Sequence, residues 1–390
     1  MSEHQVYIAH FDLDAFFVSV ERILDPSLVG KPLILGGSRE RGVVSTCSYE
    51  TRKFGVHSAM PMARAVALCP HAIVMKGTKG QYGKFSQWVT DIIAARAPVF
   101  EKASIDEFYI DLTGMDRFFD PLQWTIDLRN EIMETTGLPI SFGLASNKMV
   151  AKIATNAAKP NGYLQVLPGK EKLFLAPLKV SEIPGVGEQG LKTLHSLGIM
   201  NIEQLSAYPV HLLEHYFGKY GAVLSMKANG VYAGTVDNFH EAKSISTEHT
   251  FFENTSDVDY LLSELLRMTE KLAHELREDQ KMTRCIAVKI RYPDFQTQTK
   301  QMAIHASSYD DELYKVVRDL FKQLYDTKKA VRLIGVRFSD LTDQSVQTNL
   351  FDNKIKKANL YDAIDQVKNR FGKKSLGRGE NERFNGESWS

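Results

Sequence analysis

The chain has 390 residues, of which 43% are hydrophobic and 24% charged, with a formal net charge of +1 at pH 7. Such a length exceeds one ordinary core and points to roughly two to four domains, and the composition excludes a disordered chain. Three scattered cysteines without CxxC spacing argue against a zinc site. The lack of a membrane-length apolar run or signal-peptide pattern leads to the expectation of a cytoplasmic protein with no membrane partner.

In chain order, Val6–Phe11 reads as a strand and Phe16–Ile23 as a helix. Lys31–Gly36 and Gly42–Cys47 read as strands around a turn-rich connection, and Met62–Leu68 as a short helix stopped by Cys69-Pro70. A helix is expected around Phe85–Ala95, then two strands within Val99–Leu112 joined by a tight turn near Ala103-Ser104. Pro121–Thr135 reads as helix, Ile140–Ala145 as strand and Lys148–Ala158 as helix, broken by Lys159-Pro160-Asn161-Gly162. From Leu173 to about Gly234 only short helices and turns appear, and Asp237–Ala242 reads as a linker. Beyond it come a strand at Ser244–Phe251, a helix at Asp257–Arg277, strands at Cys285–Tyr292 and Gln298–Ile304, a helix at Tyr309–Tyr325 and a strand at Arg332–Ser339. Ser256-x-x-Asp259 and Ser308-x-x-Asp311 are expected to cap the two helices. The order β-α-β-β-α-β is that of a ferredoxin-like split βαβ unit.

Two acids, Asp12 and Asp14, stand inside the apolar run "HFDLDAFF", on one side of the expected strand. Ionised carboxylates are costly to bury unless paired or bound to metal. A second acidic group, Asp106 and Glu107, follows the expected turn, which lets both face one site; Asp111 reads as structural. Clustered carboxylates with phosphate and water oxygens make a Mg²⁺ type of site, and two such ions about 4 Å apart can activate a hydroxyl and steady a leaving phosphate. The other reading has Asp12 and Asp14 capping the next helix and Asp106 and Glu107 as solvated turn residues. Spacing alone leaves both open, with Asp14 the weaker ligand because capping accounts for it. Candidate phosphate contacts are Tyr49 and Arg52 after a strand, and the stripe Lys148, Lys152 and Lys159, provided the helix runs to 159. Gly77–Phe85 is not a Walker loop, since Thr78 and Phe85 stand at positions that need Gly and Ser or Thr.

The segments "FDLDAFFVSVE" (11–21), "YETRKFGV" (49–56), "SIDEFYIDL" (104–112), "AKPNG" (158–162), "IPGVG" (183–187) and "IGVRFS" (334–339), in this order, resemble those of the Y-family translesion DNA polymerases. The resemblance implies an α+β multidomain right hand: a ferredoxin-like palm (1–16 and 80–167), small fingers (17–79), a helical thumb with a helix-hairpin-helix (168–236), a linker (237–243), a β-α-β-β-α-β little finger (244–341) and a tail (342–390). It implies low-fidelity, template-directed synthesis from dNTPs without proofreading, by a monomer on primer-template DNA, with two Mg²⁺ ions that Mn²⁺ can replace. Asp12, Asp106 and Glu107 would be the catalytic metal ligands, joined by the Leu13 carbonyl. Tyr49, Arg52 and Lys159 would touch the triphosphate, with Phe16 beside the nucleotide and Phe17 as the steric gate against a ribose 2′-hydroxyl.

Gly185 and Gly187 resemble the phosphate-approaching glycines of a helix-hairpin-helix. Further DNA-contact candidates are Lys152 and, on the last domain's strands, Lys289, Arg291, Lys300, Arg332 and Arg337. Gln347, Leu350 and Phe351 resemble a sliding-clamp (beta subunit) peptide, although 39 residues follow it. The basic stretch after it, with Leu360, Ile364, Val367 and Phe371 at helical spacing, reads as an amphipathic helix for DNA or for the protein body, or as a solvated tail. Two other readings are a nucleotide cyclase on a similar palm and a catalytically inactive, clamp-tethered DNA-binding scaffold.

Overall fold

A computed structural model describes residues 5–238, 241–343, 354–372 and 375–376. Gln347, Leu350 and Phe351 lie outside the described residues. The chain divides into two units, residues 1–240 and 241–390, each with its own apolar core. The division falls within the expected linker, but the linker's start is tied down: the Asp237 amide donates to Glu101 at 3.1 Å, and Asn238 accepts from the Phe100 amide at 2.8 Å.

The first unit runs β1 (Ile8–Leu13), α1 (Phe16–Leu24), β2 (Leu33–Gly36), β3 (Val44–Cys47), α2 (Tyr49–Arg52), α3 (Met62–Leu68), β4 (Ile73–Met75), α4 (Gln81–Arg96), β5 (Phe100–Lys102), β6 (Glu107–Asp111), α5 (Pro121–Thr136), β7 (Ile140–Ala145), α6 (Lys148–Ala158) and β8 (Tyr163–Gln165). Short helices α7 (Glu171–Leu175), α8 (Glu188–Ser196), α9 (Ile202–Ala207), α10 (Val210–Phe217) and α11 (Tyr220–Ala228) follow. The main sheet has the order β5-β6-β1-β7-β8, with β1 antiparallel to both neighbours. Every residue of β1 is buried. Alternation along the strand puts Phe11 into the core formed with α4 and α5, and His10 and Asp12 on the opposite face.

Helix α6 covers that second face and sits close to it. A Cβ at Gly143, opposite His10 on β7, would lie 2.2 Å from the Ala151 carbonyl and 2.6 Å from the Thr155 amide nitrogen. The helix starts where the Asn147 side chain accepts from the Val150 amide at 3.0 Å, and it ends at Ala158, before Pro160. Lys159 is therefore the extended residue after the helix rather than its last member. A smaller sheet, β3-β2-β4, holds Tyr49 and Arg52 just past the end of β3. Strands β4 and β8 carry no alternating pattern, because they are three residues long and at most half-buried.

The second unit runs β9 (Ser244–Thr255), α12 (Val258–Glu278), β10 (Lys281–Arg291), β11 (Thr297–Ser307), α13 (Asp310–Leu324), β12 (Val331–Asp343) and α14 (Lys354–Phe371). The sheet order β11-β10-β12-β9 separates β9 from β10 by β12, and β11 from β12 by β10, so both crossovers are split. The expected caps are corrected. Asp257 accepts from the Tyr260 amide at 3.0 Å and starts α12 in place of Ser256, and no side chain caps α13, where Ser307 rather than Ser308 bonds Glu312 at 2.5 Å. Asp257, one residue nearer the helix than Ser256, takes the cap of α12, and α13 starts after Tyr309 without a side-chain cap.

Ile286, Val288, Ile290, Ile334, Val336 and Phe338 face the helices. Their alternates Lys289, Arg291 and Arg337 lie on the sheet's outer face, whereas the register puts Lys300 opposite Val288, and Arg332 falls in the irregular pairing between Val331 and Leu333, its guanidinium over the Phe295 ring at 4.7 Å. Helix α14 packs on α12 and α13. Asp365 takes two bonds from Arg277 at 2.6 and 2.9 Å and one from His274 at 2.8 Å, and Tyr361 stacks on Tyr309 with centroids 5.0 Å apart. A buried guanidinium robbed of one partner costs on the order of 3–5 kcal/mol, so Asp365 fixes α14 in place. The basic segment that the sequence left between DNA, body and solvent lies on the body.

Candidate active site

The site lies at the end of β1. Asp12 and Glu107 are direct partners across the β1–β6 pair, a placement that brings Cβ atoms to about 4.5–5.5 Å. Asp106 precedes β6 in a turn, where its backbone carbonyl accepts from the Leu13 amide at 3.0 Å and its carboxylate from the Ser104 hydroxyl at 2.6 Å. The chain leaves β1 through Ala15 in the left-handed region, at φ 44°. This sharp exit puts Leu13, Phe16 and Phe17 on one cleft with Asp12, Asp106, Arg52 and Lys159. Ser45, Thr46 and Ser58, which sequence reasoning missed, line it as well.

The lysine stripe meets a stripe of acids. Lys148 lies 2.5 Å from Glu101, Lys152 2.5 Å from Glu107, and Lys159 2.6 Å from Asp12. Lys148 also donates to the Thr235 carbonyl at 3.1 Å, so it fastens the approach to the linker rather than the cleft. Burial pushes the Asp12 carboxyl up to about 7, against the pull of Lys159 and with help from the charges of Glu107 and Asp106. Glu107 is held well below the usual carboxylate range by His10 and by Lys152, against its burial. Burial brings the His10 imidazole down to about 4.

Asp14 is neither a ligand nor a helix cap. No side chain caps α1, and the buried Asp14 carboxylate accepts from the Tyr49 hydroxyl at 3.0 Å, the Ser141 hydroxyl at 2.7 Å and the Asn161 amide at 2.8 Å. It joins β1, α2, β7 and the turn after α6. Tyr49 is thereby turned to Asp14, and burial beside that charge raises its phenol above the usual value. The Arg52 guanidinium stacks on the Tyr49 ring at 4.5 Å and donates to the Cys47 carbonyl at 3.3 Å. Phe16 is buried in the core; Phe17 is half-buried, with Tyr82 against it at 4.3 Å between centroids. Tyr82 and Thr78 are anchored on the buried Glu21.

Among the described residues, no three His, Cys, Asp or Glu side chains gather tightly enough to hold a metal ion unaided. The donor set suits a cation that arrives with its own oxygens. Two carboxylates already carry ammonium groups, and Mg²⁺ characteristically takes one or two carboxylates and completes its shell with phosphate and water. Outside the residues that line this cleft, Gly185 has a φ of +95° and Gly187 precedes α8 with open space where a Cβ would stand. Lys227 donates to the Pro184 carbonyl at 2.6 Å and steadies that turn.

Comparison with known proteins agrees with this geometry. Residues 11–156 match the model of the impB/mucB/samB family, and residues 242–350 that of the impB/mucB/samB family C-terminal domain. A DNA polymerase IV of Dehalococcoides mccartyi is 37% identical over 97% of this chain and 98% of its own length. A DNA polymerase IV of Treponema denticola is 34% identical over 96% of both. Among solved structures, a chimera of the Y-family DNA polymerases Dbh and Dpo4 superposes with a TM-score of 0.77 at 30% identity, covering 86% of this chain and 99% of that one. The insertion ternary complex of Dbh DNA polymerase gives 0.63, at 30% identity, over 85% of this chain and 98% of that one. With both family models matched in order and near-complete mutual coverage, the chain belongs to the Y-family DNA polymerases, in the DNA polymerase IV group.

Proposed function

We infer that the chain extends a primer 3′-hydroxyl with dNTPs on a DNA template, as a low-fidelity translesion polymerase. The observation that carries this reading is the meeting of Asp12, Asp106, Arg52, Lys159 and Phe17 on one cleft, with Glu107 across the strand pair from Asp12. Asp12, Asp106, Glu107 and the Leu13 carbonyl would hold two Mg²⁺ ions, which supply acidity to the primer hydroxyl and charge neutralisation to the departing pyrophosphate. Lys159 exchanges its bond to Asp12 for one to the triphosphate, beside Arg52. Tyr49 does the same from Asp14. Positioning and electrostatics then supply most of the rate. Phe17, half-buried at the cleft, closes the space a ribose 2′-hydroxyl needs.

The five-stranded sheet is the palm, the β3-β2-β4 part the fingers, α7–α11 the thumb and 244–341 the little finger. The Gly185–Gly187 turn and the outer-face cations Lys289, Arg291 and Arg337 support sequence-independent phosphate contacts. Lys152 would join them once released from Glu107. Gln347–Phe351 would dock on a sliding clamp.

Primer extension with Mg²⁺ and dNTPs tests the reading. Asp106→Ala lowers it by about a thousandfold or more, roughly 4 kcal/mol of barrier, and Phe17→Ala raises ribonucleotide incorporation relative to deoxynucleotide. Cyclic nucleotide formed without a primer would favour a cyclase instead, and full activity in Asp106→Ala would remove the metal-site assignment.

A further inference from the structure

Tyr49 of α2 and Lys159, the residue after α6, are far apart in the chain, yet the segments that carry them meet on one carboxylate. Asp14 is 2% exposed and accepts three bonds from distant parts of the chain. Its Oδ1 takes the Tyr49 hydroxyl at 3.0 Å. Its Oδ2 takes the Ser141 hydroxyl of β7 at 2.7 Å and the Asn161 amide at 2.8 Å. Ser141 donates its one hydrogen to Asp14 and accepts from the next amide, that of Gly162, at 3.2 Å. The turn after α6 is thus held from inside at two successive amides. Arg129 holds it from the other side, donating to the Asn161 carbonyl at 2.9 Å and side chain at 2.6 Å. The turn closes tightly on α6. A Cβ at Gly162 would stand 2.2 Å from the Ala158 carbonyl, and Asn161 sits in the left-handed region at φ 51°. A strained turn keeps its shape only while its surroundings fix it. Lys159 opens this turn, 2.6 Å from Asp12.

We propose that Asp14 is a positioning residue for the nucleotide: its carboxylate pins the turn that carries Lys159 and seats Tyr49, whose ring in turn carries the Arg52 guanidinium at 4.5 Å, so that all three meet the triphosphate from fixed places. Oδ2 keeps Ser141 and Asn161 when the triphosphate takes the Tyr49 hydroxyl, so the buried charge is never left bare. Asp14 acts through these residues and not on the reacting atoms. Groups fixed in advance lower the ordering cost of binding, so the loss of Asp14 falls on nucleotide affinity rather than on the chemical step. The inference rests on Tyr49, Arg52 and Lys159 being triphosphate contacts, as proposed above.

The test is single-turnover insertion of one dNTP by the full-length protein at saturating Mg²⁺, read as an apparent dNTP Kd and a maximal rate. Asp14→Ala raises the Kd by about 10- to 100-fold, the scale of losing bonds to a buried charged group, while the maximal rate stays within about threefold of the parent, since the lost groups only hold others in place. Asp14→Asn, which still accepts from Ser141 and Asn161, recovers most of the loss. Ser141→Ala frees the turn without touching Tyr49. It raises the Kd by a smaller factor, and it decides the matter if Asp14→Ala does not fold. Combined with Lys159→Ala, Ser141→Ala adds nothing further, because its effect runs through Lys159. A general folding defect lowers the amount of active protein without moving the Kd. An unmoved Kd in both Asp14→Ala and Ser141→Ala overturns the proposal, and so does an undiminished Ser141→Ala effect in the Lys159→Ala background. An unmoved Kd in Lys159→Ala itself overturns the triphosphate reading beneath it.

Discussion

Asp12 shows how one carboxyl carries both a cost and a capacity. Its value moves from 3.8 to about 7 on folding, so the folded chain holds that proton more tightly than the unfolded one. Its contribution to stability is therefore present at low pH and declines as pH rises from 3.8 through about 7. His10, moved from 6.5 down to about 4, contributes with the opposite sign over nearly the same window: its neutral form is favoured by folding, and stability is lost as pH falls through that range. The two slopes largely cancel in the metal-free protein. The increment added by a cation does not share this cancellation, because the cation needs Asp12 ionised. The rise in Tm produced by Mn²⁺ with dNTP is expected to be full at pH 8 and to shrink as pH falls through about 7. Thermal melts with and without Mn²⁺ at pH 6 and pH 8 check this, and an equal increment at both would show that Asp12 does not limit cation binding. Asp14, two residues away, read from the sequence as a helix cap, and no side chain caps α1. That it bonds Tyr49, Ser141 and Asn161 could not be read, because its partners come from three distant parts of the chain.

Helix α6 decides where the cations sit. Its limits, Lys148–Ala158, were readable, with Pro160 marking the end, and so was the spacing of Lys148 and Lys152; its cap, Asn147, was not. What those lysines face was not, since that depends on how closely the helix approaches β1 and β7. Gly143 sets that approach. Gly143→Ala drives a methyl group into the Ala151 carbonyl and the Thr155 amide, both backbone atoms that cannot turn aside. Overpacking of this kind costs about 2–3 kcal/mol or more. Calorimetry should show a lower Tm for the first unit with the second unit's transition unmoved. A variant with parental Tm would mean that α6 shifts freely on the sheet. The opposite lesson comes from α14: helical spacing was visible, yet its docking rests on Arg277, His274 and Tyr309, which no local pattern joins to Asp365 and Tyr361.

Across the whole chain, the proposed site residues divide between the two units. The carboxylates belong to the first unit and the outer-face cations Lys289, Arg291 and Arg337 to the second. The clamp-like peptide stands between the end of β12 and the start of α14, outside the described residues. Its contribution should be separable from catalysis. Replacing Leu350 and Phe351 with Ala is expected to abolish stimulation by a sliding clamp while distributive extension of short primers continues at the parental rate. Equal loss of both activities in a primer-extension assay would assign these two residues to folding instead.

The order of strands and helices was set by the sequence itself, because alternation and helical periodicity are local consequences of burying one face. The family could be recognised from short ordered segments for a related reason: each packs acids, glycines or a Pro-Asn-Gly turn into a few consecutive positions. Tertiary structure alone decided which groups meet. Lys152 faces Glu107, Lys159 faces Asp12, and a buried histidine stands behind them, through contacts that span 45 residues for Lys152 and Glu107 and 145 for His10 and Thr155. Partnerships at that separation depend on strand register and on one helix's distance from a sheet, and neither is written in any single stretch of residues.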